Sequence, residues 1–194
     1  GTLVIEAALM AAGRAAGAQR QHYGFQQWRG CRRQLWLDAQ KEAGDSATRP
    51  VPALSLKGFD ADSKTLPLAL QNAERAGVRN AIHFERRELG ALRPRDFAAN
   101  GIVVGNPPWG ERLDEKQQAG WLHYSIGRIL ALRAPGYQAL LLGADVDVMD
   151  RSGMNLERQW RLKNGPFNNF IRLYSPRKQT PPAVAQVADE GAFN

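Results

Sequence analysis

Short runs, most of them continuously apolar, alternate with helix-forming stretches along this chain, and that alternation constrains the fold more than any other feature. The runs are ALSLKGF at 53–59, AIHFE at 81–85, GIVVG at 101–105 and QALLLGA at 138–144. Strands buried on both faces read in this way, whereas half-buried strands alternate apolar with polar. Helical stretches stand between them. Residues 3–12 (LVIEAALMAA) are good helix formers and apolar nearly all round, which predicts a buried helix. A second helix is expected over 32–43. A third reaches Ala76 and stops at Gly77, where a left-handed cap suits glycine. With Thr65 as its N-cap, Pro67 falls in the first turn, where a missing N–H costs nothing. A fourth runs over 116–133, with Leu122, Ile126 and Leu130 on one face. The pattern predicts an α/β domain with a doubly wound, Rossmann-like, mainly parallel sheet.

The end of the chain departs from the pattern. Arg158–Leu162 and Phe170–Tyr174 flank a turn, Lys163-Asn164-Gly165-Pro166, and predict a closing antiparallel pair. After Tyr174 the sequence is Pro-rich without a usable apolar face, so residues 1–174 read as one domain and 175–194 as a linker or tail. A length of 194 residues suits one such domain. No apolar run approaches the ~20 residues that span a bilayer. The apolar opening carries Glu6 and no basic lead-in, unlike a signal peptide. A single cysteine, Cys31, excludes an internal disulfide framework and suits a cytoplasmic protein. His22, His83 and His123 are too scattered to predict a metal site.

The formal charge is +7, unevenly spread. Between Arg151 and Lys178 seven cations face Glu157 alone, and Arg14, Arg20, Arg29, Arg32 and Arg33 form a second stretch without an acid. Any one of these is an ordinary solvated cation. Two acid-poor stretches in one domain point to nucleic acid.

In an open α/β sheet, ligands bind beyond the carboxyl ends of the strands, so the residues just after each strand carry the chemistry. After GIVVG comes Asn106-Pro107-Pro108-Trp109. Two prolines end the strand and stiffen the turn. The Asn106 oxygen and the Pro107 carbonyl can accept hydrogen bonds from an amino group on a planar ring, with Trp109 stacked on its face. The alternative is a strand-capping turn with Trp109 as a core anchor. Asp60, after the second-strand run, suits ribose hydroxyls. Asp62 serves equally as a helix cap. Glu88 stands where the third strand would meet a ligand edge, or else is a solvated carboxylate. Gly1 and Thr2 precede a helix, whose first N–H groups can receive a carboxylate.

The motifs together resemble a known family. Gly1-Thr2-Leu3-Val4-Ile5-Glu6-Ala7-Ala8 resembles the end of a cofactor-binding motif I. With it stand Gly24-Phe25-Gln26-Gln27-Trp28, Gly58-Phe59-Asp60-Ala61-Asp62, NPPW extended by Gly110-Glu111-Arg112-Leu113, and Lys163-Asn164-Gly165-Pro166. NPPW alone is shared with adenine-N6 and protein-glutamine methyltransferases. The extension into GERL, with KNGP, resembles the THUMP-associated guanine-N2 RNA methyltransferases of class I. Trp109 stands where that family more often has Tyr, and Glu88 where Asp is common.

The resemblance implies S-adenosyl-L-methionine as cofactor and the N2 amine of a guanine in large-subunit ribosomal RNA as substrate. It implies cofactor contacts from Gly1, Thr2, Asp60, Glu88 and Asn106, and a target-base site made by Asn106, Pro107 and Trp109. RNA contacts would come from Arg158, Arg161, Lys163 and Asn164. The family's Asp-Pro-x-Cys-Gly-Ser before Gly1 is not in this sequence. The expectation is therefore a sheet truncated at its N-terminus, lacking its first strand, with a THUMP domain upstream. The ending Glu190–Asn194 resembles a join to a second methyltransferase half. An adenine-N6 methyltransferase and a non-catalytic RNA-binding module remain the alternatives.

Overall fold

A computed structural model describes residues 1–17, 20, 22–47, 49–109, 113–164 and 167–177. The chain divides into two compact units, Gly1–Leu92 and Arg93 onward.

The first unit contains α1 (Thr2–Ala11), α2 (Arg33–Ala47), β1 (Leu56–Asp60), α3 (Thr65–Arg75) and β2 (Ile82–Arg86). β1 and β2 pair in parallel, Leu56 opposite Ile82 through to Asp60 opposite Arg86. Two parallel neighbours need a crossover, and α3 supplies it. Thr65 opens α3, so Pro67 is in the first turn as expected, but no side chain caps that end. The exit is as predicted: Gly77 has φ +65°, and its N–H and that of Val78 donate back to Glu74 and Ala73. Ile5, Ala8, Ala73, Ala76, Val78 and Ile82 form the core, with Val4, Leu9, Val51, Leu56 and Phe84 against it. α1 is less buried than its composition suggests. Only one face is covered, and Leu3 and Met10 are exposed.

Residues 53–55 do not join the strand. Pro50 and Pro52 lack N–H donors, and Leu54 instead closes a local turn onto the Pro52 carbonyl.

The second unit contains β3 (Gly101–Gly105), α4 (Leu113–Arg133), β4 (Tyr137–Gly143), α5 (Val146–Asp150), β5 (Asn155–Asn164) and β6 (Phe167–Ser175). Its sheet runs β3-β4-β6-β5, with β3 and β4 parallel and β6 antiparallel to both neighbours. The closing antiparallel pair is thus present, and longer than predicted. Ile102 and Val104 of β3 are exposed although the run looked buried: by strand alternation they share one face, and little among the described residues covers it.

The buried stripe of α4 is Ala119, His123, Ile126 and Leu130, so a histidine occupies the face expected to carry Leu122. Gly127 is required there. A Cβ at that position would sit 1.9 Å from the Ser152 carbonyl oxygen. Buried Arg172 on β6 ties the sheet to α5, donating to Asp150 at 2.6 Å and Gln159 at 2.6 Å, and to the hydroxyl of Tyr174 at 3.3 Å. No helix of the described residues is long and apolar enough to cross a membrane.

Candidate active site

In the first unit the carboxyl ends of β1 and β2 bring Asp60 and Glu88 to one end of the two-stranded sheet. The Asp60 backbone carbonyl accepts from the Arg87 N–H at 2.8 Å, which clamps the two strand ends together. The Asp60 side chain accepts from the Asp62 N–H at 2.9 Å, and its remaining acceptor sites face outward, since the residue is exposed. Asp62 does not cap α3, whose N-cap is Lys64; its side chain accepts from the Lys64 N–H at 2.8 Å in the turn before the helix. Glu88 is exposed at the start of a 3-10 turn, Leu89–Ala91.

At the end of β2 stands a pair that the sequence reading missed. Arg87 donates to both oxygens of Glu85 at 2.7 Å and its guanidinium lies 5.3 Å from the centroid of the Phe59 ring. The hydrogen bond from Arg87, with that from His83, holds the Glu85 carboxyl below its usual range. Glu85 is therefore a charged, committed partner, while Asp60 and Glu88 stand exposed.

Gly1 caps α1, and Ile5 donates to its carbonyl at 3.1 Å. Any side chain there is blocked, since a Cβ would come within 2.8 Å of the Ala69 Cβ and 3.3 Å of the Phe84 ring. Gly58 is similarly close to Phe84, at 2.9 Å. Glycine at these points lets the start of α1 press onto α3 and β2. A groove lined by Arg14, Pro52, Leu54, Glu74, Val78 and Asn80 belongs to the opposite, amino ends of β1 and β2 and holds none of the predicted residues.

In the second unit Asn106 stands immediately beyond the carboxyl end of β3. The indole N–H of Trp109 donates to the Asn106 Oδ1 at 2.9 Å. The Pro-Pro turn thus returns the ring onto the amide, and the two residues act as one unit. One acceptor direction of Oδ1 is occupied, and the other stays open in an exposed residue. The neighbouring strand β4 ends beside it and leads to Asp145, a further residue the sequence reading passed over. Asp145 accepts from Lys116 at 2.8 Å and from the Asp147 and Val148 N–H groups, so it joins α4 to α5. The bond from Lys116 is the main cause that keeps its carboxyl low. A search for polar residues after every strand would have found it.

The cations of β5 are exposed, as is every residue from Asn155 to Lys163. Strand alternation splits them. Arg158 shares a face with Trp160, whose ring centroid lies 5.0 Å from its guanidinium, whereas Arg161 and Lys163 point to the other side. Asn164 ends the strand, its side chain outside the described residues, as are Gly165, Pro166 and the Gly110–Arg112 part of GERL.

The model of the family described as "RMKL-like, methyltransferase domain" matches residues 1–171. The chain belongs to this family. As an RMKL-like methyltransferase domain it is 86% identical over all of its 194 residues to ribosomal RNA large subunit methyltransferase K/L of Alcanivorax borkumensis, and 35% identical over 97% of its length to the same-named protein of a Shewanella species. It spans 28% of the length of each. Among solved structures, SMU.472, in complex with SAH, covers 92% of the RMKL-like domain at a TM-score of 0.74 and 24% identity, with 46% of that chain matched. A Listeria monocytogenes protein described as a "predicted N6-adenine-specific DNA methylase" covers 91% at 0.69 and 28% identity, with 44% of that chain matched. The fold is accordingly the α/β fold of the methyltransferases.

Proposed function

We propose that this domain transfers the methyl group of S-adenosyl-L-methionine to the exocyclic N2 amine of a guanine in large-subunit ribosomal RNA. The observation that carries the reading is the Asn106–Trp109 pair, an amide acceptor and an aromatic face locked together at the end of a strand. The names of the relatives support ribosomal RNA as the substrate.

The cofactor supplies, when bound, a methyl group on a sulfonium. Asp60 would offer oxygens to its ribose and Glu88 to its adenine edge, while the backbone N–H groups after Gly1 and Thr2 would donate to its carboxylate. The helix start that Gly1 caps presents such N–H groups. The amine of guanine is a poor nucleophile because its lone pair is delocalised into the ring. Asn106 Oδ1 and the Pro107 carbonyl would accept its N–H bonds and favour a pyramidal nitrogen with its lone pair available. The Trp109 N–H keeps Oδ1 fixed while the indole face takes the base. Positioning and electrostatics then do the catalysis, without a covalent intermediate. A paired guanine cannot enter such a site, so the base is flipped or already unpaired. Arg158, Arg161, Lys163 and Asn164 supply phosphate and polar contacts from β5, and a THUMP domain and a second methyltransferase domain in the full-length protein complete substrate selection.

A second reading, methylation of adenine N6, uses the same amine chemistry, and the likeness to the Listeria protein favours it. Nucleoside analysis of RNA treated with the full-length protein separates the two. N2-methylguanosine is the expected product. N6-methyladenosine would replace the first reading by the second.

A further inference from the structure

From Ala7 to Leu37 the chain has no carboxylate and five arginines. The structure accounts for two of them. Arg14 donates to the carbonyls of Arg49, Ala76 and Gly77, and Arg20 lies over the Tyr23 ring at 5.3 Å. Arg29, Arg32 and Arg33 are different. All three are exposed, and their side chains make no hydrogen bond or ion pair among the described residues. Arg32 and Arg33 open α2, which has no acidic residue in its first turn, so they repel the positive end of their own helix.

Beside them stands Trp28, with 72% of its surface exposed. Its backbone is held from both sides: its N–H donates to Phe25 at 3.0 Å and its carbonyl accepts from Cys31 at 2.9 Å. The preceding turn is braced by the rings of Tyr23, Phe25 and Trp36, with centroids 5.0–5.6 Å apart. The Tyr23 hydroxyl donates to Gly17, and the Tyr23 N–H to the Gln26 side chain. A small aromatic core thus holds rigid a turn whose own tryptophan contributes nothing to that core.

We propose that the turn Trp28–Arg33 is a second RNA contact, where the Trp28 indole stacks on an unpaired base and Arg29, Arg32 and Arg33 take the adjoining phosphates. An exposed ring on a fixed backbone is a stacking platform that costs little ordering on binding. Three unneutralised guanidinium groups supply the charge that a polyanion, and not an apolar peptide, complements. The proposal rests on RNA being the substrate and adds where else the domain grips it.

The test uses the full-length protein and two fluorescein-labelled probes, a short single-stranded oligoadenylate and a blunt RNA duplex. Trp28→Ala should weaken oligoadenylate binding between about fivefold and 150-fold, the range of one base stack. It should leave duplex binding unchanged, and Trp28→Phe should recover most of the loss. Replacing Arg29, Arg32 and Arg33 together by Ala should lower the slope of log affinity against log salt by about 2, at roughly 0.7 for each lost single-strand contact. Wild-type affinity in Trp28→Ala, with methyl transfer to RNA intact in the parent protein, overturns this proposal and leaves the proposed function standing. Unchanged affinity with a lowered melting temperature also overturns it, since Trp28 would then seat a protein segment. A parent protein that neither binds RNA nor methylates it overturns both.

Discussion

The hydrogen bond from Trp109 Nε1 to Asn106 Oδ1, at 2.9 Å, makes a quantitative test of the site possible. Trp109→Phe keeps an aromatic face and removes the donor. The bond lies between exposed groups, so its loss costs about 0.5–1.5 kcal/mol. That corresponds to a roughly 2- to 13-fold fall in kcat/KM for methyl transfer. Trp109→Ala removes the stacking face as well, worth ~1–3 kcal/mol. The two losses sum to about 1.5–4.5 kcal/mol, or roughly 13- to 2000-fold. Single-turnover transfer from labelled S-adenosylmethionine to RNA reads both numbers, with cofactor affinity measured in parallel and expected to stay constant in Trp109→Phe. A cycle with Asn106→Ala isolates the bond: once the acceptor is gone, Trp109→Phe should cost almost nothing more. Equal damage from Phe and Ala would show that the ring face does not stack on the substrate. Strictly additive losses in the cycle would show that the bond plays no part in positioning Asn106.

Three further outcomes are expected. Gly127→Ala should lower the melting temperature through an overpacking loss of about 1–3 kcal/mol, because its Cβ would lie 1.9 Å from the Ser152 oxygen; a rise, the usual result of Gly→Ala within a helix, would refute that contact. Gly1→Ala in the full-length protein should weaken S-adenosylmethionine binding in calorimetry, and Ala69→Gly should restore part of it by clearing the 2.8 Å contact; undiminished affinity would separate Gly1 from the cofactor. Burial lowers the His123 pKa, and its Nδ1 has no hydrogen-bond partner among the described residues, so the unfolded chain takes up a proton at higher pH than the folded one. Stability contributed by neutral His123 is complete above about pH 6.5 and is lost as pH falls through the folded value; melts of His123→Leu should show a smaller drop from pH 7.5 to pH 5 than the parent.

Much of this protein was set by local sequence alone. Short apolar or apolar-rich runs marked the strands, most clearly QALLLGA, where a strand within a sheet has little polar side to display. Gly77 marked a helix end, since a left-handed residue is cheapest as glycine. The prolines after β3 marked the point at which Asn106 leaves the sheet, because neither can donate to a ladder. Each of these signals depends on one residue's own backbone or on its immediate neighbours. The remainder depended on what lay opposite. The exposure of Ile102 and Val104 marks one face of β3 as uncovered among the described residues, and what packs on a face is a long-range property. His123 on the buried face of α4, the Lys116–Asp145 pair and the Arg172 cluster join residues far apart in the chain, which no local pattern announces. The bond between Trp109 and Asn106 is the instructive middle case. The sequence placed both residues on one stiff turn, but only the tertiary path of that turn decided that the ring nitrogen would meet the amide oxygen, since a hydrogen bond is fixed by distance and direction and not by proximity in the chain.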